Sequence, residues 1–136
     1  MKGKIIRLLL LFMVCTAFLS ANATPLDDIQ KQVKEFLCDG KTQNFSSLFD
    51  NEVEVSIQEE NKAKGKSQAV SAVQNYVGKC RPYNFIVTHK TEKLQSGYLM
   101  GKLQTSSGQH QVQIRLKKGA SNNFMIYQLR IENSND

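Results

Sequence analysis

Apolar side chains recur at steps of three and four residues at Leu26, Ile29, Val33, Phe36 and Leu37, which predicts a helix over residues 25–38 with one buried stripe. Pro25 suits its first turn, Asp27 and Asp28 favour the positive end of the helix dipole, and Gly40 can end it with positive φ. A second, short helix is expected over 44–49, with Phe45, Leu48 and Phe49 facing inward. Val53, Val55 and Ile57 then alternate with Glu54, Ser56 and Gln58, the pattern of a strand with one wet face. A loop is expected over 59–66. A further helix, N-capped by Ser67, carries Val70, Val73, Tyr76 or Val77, and Cys80 on one side until Arg81-Pro82 ends it.

From Tyr83 the period changes to two. Phe85, Val87 and His89 alternate with Asn84, Ile86 and Thr88, and turns at Ser96-Gly97, Ser106-Ser107-Gly108 and 119–122 mark off three more strands. The last, 123–132, is rich in β-formers. Met125, Tyr127, Leu129 and Ile131 would share one of its faces, with Phe124 and Ile126 on the other, as suits an inner strand of a covered sheet. The expected fold class is α+β, with N-terminal helices packed on a strongly curved antiparallel sheet.

The first residues obey a different logic. Lys2, Lys4 and Arg7 precede an apolar run over 8–19, and Ala21 and Ala23 offer the small residues of a cleavage site. The run is shorter than the roughly 20 residues of a membrane span, so residues 1–23 are expected to be a signal peptide and 24–136 a single domain. The mature chain would then be periplasmic or secreted, with no membrane span. Losing those three basic residues lowers the formal charge from +6 to about +3. The remaining charge is dispersed, whereas a nucleic-acid footprint wants a clustered patch. Cys38 and Cys80 remain after cleavage. Export makes a disulfide between them one alternative and two separate buried thiols the other.

The helix start at Gly65, Ser67 and Ala69 and the ending Gln128-Leu129-Arg130-Ile131-Glu132, in this order of elements, resemble the domain of unknown function 4783 family of small exported bacterial proteins. The resemblance implies the cone-shaped superfold of nuclear transport factor two and ketosteroid isomerase, also described as cystatin-like. A curved sheet would wrap a long helix, often with a pocket in the cone and a dimer through the sheet's outer face. The family brings no established activity.

Catalysis on such a fold needs titratable groups inside an apolar cone. The four-strand meander holds no Asp, and its acids, Glu92 and Glu132, fall near a turn and a strand end. His89, on the face of Phe85 and Val87, is the candidate base, with Tyr98 or Tyr127 as hydroxyl partner and Arg130 as an anion-holding group; His110, after a Gly turn, reads as exposed. Two isolated histidines make no metal constellation, and no cofactor motif is present. The reading is a non-catalytic domain that binds a small apolar ligand or a protein in or around the cone. The alternatives are a hydrolyase- or isomerase-like enzyme using His89 and a structural, homodimeric envelope module.

Overall fold

The computed structural model describes residues 25–40, 45–59 and 61–134. The expected signal peptide lies outside them. Helix α1, Pro25–Asp39, buries Leu26, Ile29, Val33, Phe36 and Leu37, the stripe read from their spacing, and Gly40 leaves it with φ 68°. A 3-10 turn, Phe45–Leu48, leads into strand β1, Phe49–Ile57. Phe36 stacks on Phe45 with ring centroids 3.5 Å apart, and Phe45 meets Phe49 edge-on at 4.7 Å. This aromatic cluster ties the helix to the start of the sheet.

Helix α2, Lys66–Cys80, is N-capped by Gly65 at φ 89°, without a side-chain cap, rather than by Ser67. Its buried face is Ala69, Val73, Tyr76 and Cys80, with Val70 and Val77 half-buried. Arg81, in the left-handed region at φ 50°, closes the helix through its N–H to the Val77 carbonyl at 2.9 Å. Cys38 is half-buried and Cys80 buried, and both are free thiols in the structure. Burial and the neighbouring Asp39 push the Cys38 thiol pKa up.

Six strands form one open sheet. After β1 come β2 (Asn61–Lys64), β3 (Pro82–Glu92), β4 (Ser96–Thr105), β5 (Gly108–Lys118) and β6 (Phe124–Asn133), in the spatial order β2-β1-β6-β5-β4-β3. Two departures from the sequence reading matter. The stretch expected as a loop over 59–66 contains β2, antiparallel to β1. Its hairpin turns through Gln58 and Glu59 at φ 53° and 62°, positions where Gly or Asn would have announced a turn. The sheet is also mixed rather than antiparallel, because β1 runs parallel to β6, with Val55 beside Leu129 and Ile57 beside Ile131. That register sets the apolar face of β1 against the apolar face of β6.

Bulges and a glycine bend the sheet, and two of the bulges change which side chains face inward. Val87 pairs with Gly101 and His89 with Met100, so Thr88 is an extra residue in β3. Arg115 pairs with Gln128 and Leu116 with Ile126, so Tyr127 is extra in β6. A Cβ on Gly101 would meet the Ile86 carbonyl and the Phe85 ring at 2.6 Å, so only glycine lets β3 fold this closely over β4. The bulge at Tyr127 also re-phases the last strand. Phe124, Ile126, Leu129 and Ile131 share the buried face, instead of dividing as strict alternation requires.

α1 packs against β3 and α2 against β1 and β2. The concave interior is lined by buried side chains. Leu99, Leu103, Val112, Ile114, Leu116, Ile126 and Ile131 are all 0 % exposed, beneath Phe36 and Leu37 of α1 at 1 %. Lys90 of β3 forms an ion pair with Asp27 of α1 at the rim.

Candidate functional site

The four residues singled out from sequence share the outer face of the sheet but are spread across it: Tyr98 and Tyr127 border one groove, Arg130 another cleft, and His89 neither. His89 is the clearest correction. The extra Thr88 shifts the alternation by one, so Phe85 and Val87 face inward while His89 emerges beside Met100 and meets the Tyr98 ring at 6.5 Å. Strand register places Thr91, Tyr98 and Arg115 in one row across β3, β4 and β5, continued by Tyr127 at the β6 bulge. The neighbouring row is His89, Met100, Gln113 and Arg130. Each row spans about 14 Å, three inter-strand steps.

The first row frames a groove of about 370 Å³, lined also by Lys93, Ser96 and Gly97. Arg115 lies 5.8 Å from the centre of the Tyr98 ring, and Lys117 lies 5.6 Å from that of Tyr127, both within cation–π range. Met100 holds the middle of the face, approached by the Tyr98 hydroxyl at 3.6 Å and the Gln111 amide at 3.1 Å from its sulfur. Arg130 donates to Glu132 at 2.6 Å, two residues along its own strand. It borders a second outer cleft of about 470 Å³ with Glu54, Lys62, Lys64 and Gln128.

Inside, the polar group the sequence did not mark is His110. It is 4 % exposed rather than solvated, and its Nδ1 is hydrogen-bonded to the hydroxyl of Tyr76 on α2. Burial lowers the His110 pKa, and burial, with a smaller contribution from Cys80, raises that of Tyr76. Both shifts favour a neutral pair, in which the phenol donates to an unprotonated Nδ1. Close by, Ser106 reaches the Cys80 carbonyl through its N–H at 2.9 Å and its hydroxyl at 2.7 Å. Together these bonds fasten the end of α2 to the β4–β5 hairpin. The signal in the sequence was positional only: His110 falls in the phase of Val112, Ile114 and Leu116.

The chemistry available inside is therefore slight. Among the described residues, His110 and Thr105 are the buried polar side chains, and no carboxylate joins them. No three His, Cys, Asp or Glu side chains gather among the described residues.

The pair has a stability consequence. Below the ordinary histidine pKa of about 6.5, the unfolded chain takes up a proton that the buried imidazole resists, so stability falls with acid from there down to the folded-state value. Above about pH 10 the unfolded phenol ionises first, and stability falls again. Tyr76→Phe is expected to lose about 1–3 kcal/mol, since it leaves the buried imidazole without its partner. Urea unfolding from pH 5 to 7 checks this account. The acid slope should be smaller in His110→Gln, and an unchanged slope would rule out the imidazole as its source.

The fold and sheet geometry have known counterparts. No curated protein matches the sequence. A DUF4783 family protein from Bacteroides ovatus, 28% identical, superposes with a TM-score of 0.68 over 76% of this chain and 94% of its own. A domain of unknown function with a cystatin-like fold from Nostoc punctiforme, 14% identical, gives 0.68 over 82% of this chain and 76% of its own. A designed protein of the nuclear-transport-factor-two type, 12% identical, gives 0.63 over 77% and 97%. These last two speak to the fold alone. The family model for DUF4783, a domain of unknown function, matches residues 30–132, and the chain belongs to that family.

Proposed function

We propose that this is an exported, non-catalytic domain that binds a protein partner through the outer face of its sheet. The observation that carries the reading is the division of side chains between the two faces. The concave face is packed with alkyl groups around one neutral His–Tyr pair. The outer face presents half-buried Tyr98, Met100 and Tyr127 among Arg115, Lys117 and Arg130. Tyr, Met and Arg are the side chains enriched where proteins meet, because they offer large contact areas with polar handles. The support for a partner on the outer face is the exposure of its aromatic and basic groups, whereas the apolar side chains of the concave face are buried in one core cluster. Export rests on the charged and apolar pattern of residues 1–23.

The test is native mass spectrometry of residues 24–136 purified from the source organism, beside a Met100→Arg variant. The expected result is a second protein chain held by the wild type and lost from the variant. A bare wild-type monomer, or a partner indifferent to Met100→Arg, overturns the reading.

A further inference from the structure

We infer that the groove between Tyr98 and Tyr127 recognises an acidic segment of the partner, with Arg115 receiving a carboxylate. This rests on the outer-face reading and narrows it.

Three acids on that face are paired with neighbours: Glu132 with Arg130 at 2.6 Å, Glu54 with Lys64 at 3.5 Å and Asp50 with Lys117 at 3.7 Å. Arg115 has no ion pair among the described residues, and Lys93 at the far side of the groove has none either. The lining itself contains two cations, two phenols and no carboxylate. Arg115 packs against the Tyr98 ring, which restricts where the guanidinium can go while leaving its N–H donors available. A planar fork so held suits a carboxylate, which it can engage with two parallel bonds. The Thr91 and Ser96 hydroxyls on the same rim can donate to further oxygens.

The same charges argue against a second copy of this chain as occupant. A two-fold interface centred on the groove would set Arg115 and Lys93 against their own symmetry mates. A heterologous segment carrying Asp or Glu meets the groove with opposite charge, and its apolar atoms can lie on the tyrosine faces. Exposed rim charges of this kind chiefly govern association rate and salt dependence.

Fluorescence anisotropy with a labelled ten-residue peptide of alternating Glu and Ala, and a Lys/Ala peptide as control, tests the inference. Saturable binding is expected for the acidic probe alone, weakening as salt rises. Arg115→Glu should weaken it at least tenfold. Tyr98→Ala and Tyr127→Ala should weaken it by a smaller factor, and Lys79→Glu on α2 should leave it unchanged, with thermal melts verifying that each variant is folded. No saturable binding, or binding indifferent to Arg115→Glu, overturns the inference. A native partner lost in Met100→Arg but retained in Arg115→Glu leaves the outer-face reading standing and removes this one. A dimer of this chain that persists in Arg115→Glu does the same.

Discussion

Replacing Gly101 with valine is expected to destabilise the domain by about 3 kcal/mol or more, near the upper end of what overpacking does. A bare Cβ would already sit 2.6 Å from the Ile86 carbonyl oxygen and from the Phe85 ring, and valine adds two methyl groups to that space. The ring could rotate away. The carbonyl belongs to the β3 backbone, paired along its length with β4, and cannot yield without opening the ladder. In a domain this size such a loss corresponds to a melting point lower by about 10 °C. Gly97→Ala is the internal control. There the added carbon meets the Leu26 side-chain end at 3.0 Å, a flexible group that can give, so a much smaller change is expected. Thermal unfolding of both variants by circular dichroism decides the matter. Equal melting points would show that Gly101 is not where the sheet's bend is held.

Phe36→Ala is the second large effect, at about 3–5 kcal/mol. The ring is 1 % exposed, lies flat on Phe45 and, through it, reaches the edge of Phe49. Removing it opens a cavity between α1, the 3-10 turn and the first strand, where three elements meet and none can collapse inward alone. Phe36→Leu keeps most of the volume and should lose about 1.5 kcal/mol. Urea titration separates the two outcomes. A loss for Phe36→Ala no larger than for Phe36→Leu would mean that the site closes up after truncation and that the cluster does not brace the helix.

How locally each feature is encoded decides whether the sequence discloses it. The stripe on α1 was legible to the residue because five apolar positions at helical spacing admit one face. Val53, Val55 and Ile57 announced the buried side of β1 just as directly. The meander was legible because its turns contain Gly and Ser. The β1–β2 hairpin was hidden, since Gln58 and Glu59 adopt left-handed backbone without belonging to the residue types that favour it. The parallel partnership of β1 and β6 joins segments some seventy residues apart, and no short-range pattern encodes it. Two assignments of facing failed for the same physical reason. A bulge changes the parity of a strand, so reading period two through Thr88 put His89 on the wrong face, and reading it through Tyr127 split the apolar residues of β6. His110 was assigned to solvent because a Gly turn precedes it, although its phase with Val112 and Ile114 pointed inward. Tyr76, its partner, was legible as a core position but not as a hydrogen-bond donor to it.

The strand order carries a kinetic corollary. Of the six strands, the last to leave the ribosome is β6, and it sits between β1 and β5, so the N-terminal hairpin has no route into the sheet except through it. Until residue 133 or so is available, the first third of the domain can form a helix and a lone β-ribbon but no joint layer.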